Sequence, residues 1–517
     1  MKLNYKRTVL VGFAFFLISA FWQAYDATIP VILTNKFGMS QTWSGLIMAL
    51  DNILAVFMLP IFGSLSDKCV NSKKGKRTPF ITIGTIIAAV ALVALSFVDN
   101  AQLHKIADVS AIDDPAALHA IYEKQADREL FTPDGEKFVL QDIFEEDEFA
   151  SITSQIELAS GKTITNPDYT NYVAPARQAC AADATAQDPV MLILFVVLLL
   201  AVLIAMATFR SPAVALMPDV TIKPLRSKAN AVINLMGTAG GILVLVLGIV
   251  FATGAVKNSM MNYMVYYGVI AALMLGALLI FRLTVREPQW AQEMVETSQQ
   301  LGIEEEQEPS GEKRRLSKQE VRSLLLILAS IALWYIGYNA VTSKYSLYAG
   351  RVLNMDYNTT LLIAQGAAIV SYLPAGIVAS KIGRKKTILA GVVMLTAAFA
   401  LASFLRAGSS VLLMNVLFAL AGIGWATINV NSFPMVVELC SGGDIGKYTG
   451  YYYTASMAAQ IVTPVLSGAL MDMTGRMTIL FPYAAVFAGL AFVTMLFVKH
   501  GDAKVEAKRG LEAFDND

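Results

Sequence analysis

Runs of about twenty consecutive apolar residues recur along nearly the whole chain, 190–207, 231–252 and 323–340 among them. A bilayer-spanning helix needs about 20 such residues, because in lipid only a helix satisfies its own backbone polar groups. The pattern predicts twelve spanning helices, over residues 8–33, 41–66, 79–98, 189–218, 229–254, 261–285, 320–347, 359–380, 387–406, 410–434, 448–470 and 475–498. The expected fold is therefore an all-α membrane protein. The start has the basic and apolar regions of a secretory signal, but its apolar character continues through Ile29–Leu33 and further spans follow, so it is read as a retained first helix.

Two polar stretches interrupt the rhythm. Residues 99–188 hold 18 Asp/Glu against six Lys/Arg, with turn formers in Thr132-Pro-Asp-Gly135 and Thr165-Asn-Pro-Asp168 and enough aromatic residues for a modest core. This predicts a small, partly ordered cap, with solvated cover favoured over solute capture. Residues 286–319 carry the acidic run Glu304–Glu306 and then the basic Lys313–Arg315, which reads as a hydrated tether. The organisation is thus helices 1–3 in 1–98, an insertion in 99–188, helices 4–6 in 189–285, a linker in 286–319, helices 7–12 in 320–498 and a tail in 499–517.

Composition supports the membrane reading: 56% of the 517 residues are hydrophobic and 15% are charged. The net charge of zero gives no argument for nucleic acid. With both termini on one side, the segments on that side hold 27 of the 40 Lys/Arg and the opposite segments hold 12. Basic residues accumulate on the cytoplasmic side, so both termini are expected in the cytoplasm of a multi-pass protein of the cell membrane, with the insertion outside. The three cysteines and three histidines suggest neither a disulfide framework nor a metal site, and no cofactor is expected. Enzyme signatures are missing: there is no metalloprotease helix, phosphate loop or nucleophile elbow.

A glycine-rich helix end followed by a basic turn occurs twice, as Gly63-Ser-Leu-Ser-Asp67 with Gly75-Lys-Arg77, and as Gly376-Ile-Val-Ala-Ser380 with Gly383-Arg-Lys-Lys386. Two six-helix repeats explain the recurrence. The first of these loops resembles the signature between helices 2 and 3 of the major facilitator superfamily. That resemblance implies two pseudo-symmetric six-helix bundles around a central cavity, open alternately to each side. Within the superfamily, Gly75-Lys-Arg-Thr-Pro-Phe80 and Phe209-Arg-Ser-Pro-Ala-Val-Ala-Leu-Met-Pro-Asp219 are similar to the glycoside/cation symporters and sucrose/proton symporters. The resemblance implies cation-coupled symport of a sugar or glycoside, and a monomer is expected. It departs from the pattern where Ser380 replaces the second aspartate and where no acidic residue precedes Arg210 on helix 4.

A charge at the centre of a spanning helix costs about 2.5–3.5 kcal/mol on insertion scales, so those that remain are functional candidates. Asp26, Asp51 and Arg210 stand out, all in the first half. At about 1.5 Å per residue, Asp51 lies roughly 18 Å and Arg210 roughly 13 Å from the cytoplasmic ends, and Asp26 roughly 28 Å. Asp51 and Arg210 are therefore close enough in depth to meet. Asp51 or Asp26 is expected to take the coupling cation, a proton before sodium, and Arg210 to bind solute hydroxyls or the carboxylate. Trp22, Gln23, Asn52, Tyr338, Asn339, Gln365, Trp425, Asn429, Tyr452 and Gln460 supply the aromatic faces and amides that a sugar needs. Asp67, Lys76, Arg77, Asp219, Arg226, Glu438 and Lys447 are candidates for a cytoplasmic gate. The competing functions are an exporter or antiporter of sugars or amphiphilic drugs and, from another class, a membrane receptor or scaffold that moves no solute.

Overall fold

The computed structural model describes residues 3–69, 75–157, 163–222, 225–300, 317–437, 439 and 445–501. The first spanning helices are α1 (Tyr5–Asn35), α2 (Gln41–Lys68) and α3 (Thr78–Lys105). The insertion then folds as α4 (Ala107–Ser110), α5 (Pro115–Gln125), strands β1 (Leu130–Phe131) and β2 (Lys137–Phe138), α6 (Glu146–Ala150), strands β3 (Gln155–Glu157) and β4 (Thr163–Thr165), and α7 (Ala174–Gln187). Spanning helices resume with α8 (Val190–Asp219), α9 (Arg226–Val250) and α10 (Met264–Thr284), followed by α11 (Glu287–Gln300). The second half comprises α12 (Lys318–Tyr348), α13 (Tyr357–Ile382), α14 (Arg384–Ala402), α15 (Val411–Val437), α16 (Ile445–Thr474) and α17 (Leu480–Leu496). Among the described residues, eleven of these twelve long helices contain a window apolar enough to cross a membrane, and the remaining one is α13.

Each half has its own apolar core, and the insertion has a third. Across the seam, α2 packs on α16 and α13 on α9. These two contacts pair the second helix of one half with the fifth of the other, as a two-fold repeat requires. The α2–α16 approach depends on glycine: a Cβ on Gly45 would lie 2.0 Å from the Pro464 carbonyl oxygen, and one on Gly468 would lie 2.2 Å from that of Gln41. Helix backbones come this close only where the side chain is a hydrogen.

Local turns follow the sequence. In the β1–β2 connection, Gly135 has φ +84° and donates its N–H to the Thr132 carbonyl at 2.9 Å. Phe149 and Tyr169 are fully buried in the insertion core. Two elements differ from expectation. Helix α3 runs on to Lys105, past the predicted end, because Asp99 is not a solvent-facing residue: Lys36 reaches both its carboxylate oxygens, at 2.6 and 2.7 Å. Part of the expected tether is also helical. Trp290 of α11 is buried against the first half, Arg7 stacks over its ring at 5.2 Å, and Arg7 pairs with Glu293 at 2.5 Å.

Candidate functional site

Asp26 on α1, Asp51 on α2 and Arg210 on α8 come together on one wall of the seam between the halves. Asp51 is the shared neighbour, interacting electrostatically with both Asp26 and Arg210. Among the described residues no direct ion pair joins these three. The Asn52 amide donates to Asp51 Oδ1 at 2.7 Å, and the Arg210 guanidinium stacks over the Trp22 ring at 5.5 Å. Trp22 stands four residues before Asp26, so one face of α1 presents both. All three charged side chains are only half-buried, and residues of the second half face them: Tyr338 near Asp26, Tyr453 near Arg210.

The opposite wall is aromatic. Tyr338 and Trp425 stack face to face, with centroids 3.6 Å apart and planes 2° from parallel, and Tyr335 meets Trp425 edge-on at 5.2 Å. The Tyr335 hydroxyl lies 3.5 Å from Asn429 Oδ1 and 3.4 Å from the Tyr452 hydroxyl. The Trp22 indole N–H, the Tyr25 hydroxyl and the Asn339 amide nitrogen are buried and, among the described residues, have no hydrogen-bond partner. Such groups cost free energy unless something accepts from them or donates to them.

Three predicted solute contacts, Gln23, Gln365 and Gln460, have other partners. Gln365 donates to Gln23 Oε1 at 2.5 Å, tying α13 to α1 across the seam. Gln460 donates to the Ser456 carbonyl of its own helix at 3.3 Å.

The expected gate residues divide likewise. Arg77 pairs with Asp219 at 2.8 Å and also donates to Ser66. Both partners of that ion pair belong to the first half, so it fastens α3 to α8. Lys76 is exposed. The side chains of Asp67, Arg226 and Lys447, and Glu438 altogether, lie outside the described residues.

Several residues of this region escape the sequence reading. Glu287 accepts from the backbone N–H groups of Arg77 and Thr78, each at 2.8 Å, and from the Thr78 hydroxyl at 2.7 Å, thereby capping α3. Lys344 contradicts the view that intramembrane charges lie only in the first half. It is fully buried on α12, donates to the Gln41 carbonyl at 2.8 Å, and interacts with Asp472. The rule that singled out Asp26 applies equally to Lys344, which stands inside an apolar run. Tyr25 and Tyr453 carried no comparable signal, since aromatic residues abound in these helices.

Among the described residues, contacts between the halves gather on the side that bears the insertion. There Asp472 of α16 accepts from the first two backbone N–H groups of α2, Gln41 at 2.9 Å and Thr42 at 2.7 Å. A carboxylate at a helix N-terminus offsets unpaired donors and complements the helix dipole. Asn358 of α13 reaches the Thr253 hydroxyl beyond α9 at 3.0 Å, and Tyr357 does so at 2.7 Å.

The sequence pattern of the Major Facilitator Superfamily matches residues 3–109 and 359–514, just over half of the chain. MFS-type transporter ppzB of Metarhizium rileyi (strain RCEF 4871) is 27% identical over 146 residues, 28% of this chain and 29% of that protein. The chain thus spans under a third of that curated relative. Among solved structures, the inward-open conformation of the xylose transporter XylE from E. coli superposes with a TM-score of 0.60 at 14% identity, covering 99% of this chain and 100% of that one. The nucleoside transporter NupG superposes with a TM-score of 0.56 at 14% identity, over 95% and 100%. At such identity these two likenesses concern the fold alone.

Proposed function

The chain belongs to the Major Facilitator Superfamily, and on that premise we propose that it is a cation-coupled symporter that moves a sugar or glycoside by alternating access. The observation that carries this reading is the two-walled site, with two carboxyl groups and a guanidinium on the first half facing the stacked Tyr338 and Trp425 of the second. Sugars suit such walls: their C–H faces lie on aromatic rings, while their hydroxyls need fixed donors and acceptors. The fold neighbours named above carry xylose and nucleosides, so the architecture accommodates polar solutes of this size.

The coupling cation is a proton, taken at Asp51 or Asp26. Two neighbouring carboxylates repel when both are ionised, and the Arg210 guanidinium favours ionisation of the one it faces. A solute hydroxyl that engages Arg210 withdraws that support from Asp51, so solute and proton bind together. The protein acts as a monomer in the cell membrane, with its termini cytoplasmic and its insertion outside, and needs no cofactor.

The test is uptake into proteoliposomes of a panel of labelled sugars and glycosides, with and without an inward proton gradient, for the wild type, Asp51→Asn, Asp26→Asn and Arg210→Ala. One aspartate variant should retain solute exchange yet lose gradient-driven accumulation, and Arg210→Ala should lose both. If both neutralised proteins still accumulate solute to the wild-type level, proton coupling at these residues is wrong. Flux of no panel member would overturn the sugar reading.

A further inference from the structure

A cavity of about 60 Å³ lies on the insertion side, away from the central site, where the insertion meets both halves. It is small beside ligand pockets of about 300 Å³ or more. Two guanidiniums line it, from Arg177 of α7 and from Arg351 just beyond α12. Among the described residues, neither has a carboxylate partner. Arg351 donates to Asn35 Oδ1 at 2.6 Å and to Gln178 Oε1. Arg177 donates to the carbonyls of Val109 and Ala111, at 2.7 and 3.1 Å, and to the Tyr169 hydroxyl. Other cations within the bundle are treated differently: Lys36 pairs with Asp99, Lys344 faces Asp472, and Arg210 faces Asp51.

No aspartate or glutamate lines the cavity. Asp356, beside the lining residue Gly254, accepts from the Asn358 backbone and side chain, each at 2.9 Å. Ser346 lines the same space and is 5% exposed, and its hydroxyl has no hydrogen-bond partner among the described residues. Arg177 is buried and Arg351 half-buried; a charge removed from water is costly unless it is paired, and neutral acceptors compensate it only in part.

We propose that this cleft binds a small monovalent anion, of the size of chloride or formate, held by the Arg351 guanidinium with the Ser346 hydroxyl. Its walls come from the insertion (Arg177, Gln178), the first half (Asn35) and the second half (Ser346, Arg351). The bound anion therefore fastens three parts of the molecule where the halves already touch, and favours the state closed on that side. Nothing in this assignment depends on the transported solute.

The full-length protein is unfolded thermally in gluconate buffer, at constant ionic strength and pH, while chloride or formate replaces gluconate. An anion that binds only the folded protein raises Tm with a saturable dependence on its concentration. At least one of the two should do so. Ser346→Ala should move the midpoint about three- to tenfold higher, the loss of one hydrogen bond, and Arg351→Gln should abolish the dependence. A wild type without saturable dependence, or variants that titrate like it, would overturn the assignment. Should Arg351→Gln fail to fold, anomalous scattering from bromide decides together with Ser346→Ala: bromide in the cleft supports the site, and bromide only elsewhere removes it.

Discussion

Individual side chains in this protein separate into those that hold the bundle together and those that line the proposed solute site. Lys36 and Asp99 are completely buried, and the ammonium also donates to the Met261 carbonyl at 2.7 Å and lies 4.6 Å from the Tyr263 ring centre. Removing one member of such a pair leaves an uncompensated buried charge, at a cost of about 3–5 kcal/mol. Asp99→Leu should therefore lower Tm sharply in thermal unfolding, and Lys36→Met with Asp99→Leu should recover most of the loss. Trp425 belongs to the other class. Its stack with Tyr338 is worth about 0.5–1.5 kcal/mol beyond burial, and a solute ring loses a comparable contact when the indole goes. Trp425→Ala should raise KM about tenfold, and Trp425→Phe by less, in the same uptake assay.

Asp26, Asp51 and Arg210 were legible from sequence because ionised groups are rare in apolar runs. Lys36 and Asp99 were not, since Lys36 follows the last residue of α1 and Asp99 comes just past the end predicted for the third helix, where charge is ordinary, and only tertiary contact shows that they are buried together.

At the scale of helices, the seam between α2 and α16 is set by two residues without side chains. Gly45→Val or Gly468→Val places atoms where the Pro464 and Gln41 carbonyl oxygens now lie. Either substitution should hold the halves apart on the insertion side. Cysteine accessibility measured at position 41 in membranes should rise, and uptake should fall at least tenfold; unchanged accessibility with unchanged uptake would contradict this picture. Repetition of the glycine and basic motif revealed the duplication of six helices, but the sequence pattern did not show that α11 packs on the first half. Its burial rests largely on Trp290, one residue in a polar helix, and so short a signal is not distinguishable from an exposed aromatic.

For the whole molecule, the insertion is covalently part of the first half yet holds the second. Thr170 donates to Asn354 Oδ1 at 2.9 Å, the Met477 N–H donates to the Pro133 carbonyl at 2.9 Å, and Arg406 lies 3.3 Å from Asp134. Under the proposed alternating access, these contacts must break when the insertion side opens. With cysteines at 170 and 354, in a background lacking the native cysteines, a short thiol crosslinker should block uptake while leaving the protein folded. Uptake that persists after complete crosslinking would show that the insertion moves with both halves throughout the cycle.

The sequence by itself determined that the chain crosses a membrane, how its helices repeat, that a separate small core interrupts the first half, and which three charges in that half are out of place in lipid. Those features depend on local chemistry, since a run of apolar residues and a charge within it have the same consequence wherever the neighbouring helices stand. Only the tertiary structure decided that Asp51 is the neighbour of both Asp26 and Arg210, that Gln23 and Gln365 face each other, and that Arg351 has no carboxylate partner among the described residues. Each of these depends on helix rotation and tilt, which packing between distant segments sets and no linear spacing encodes.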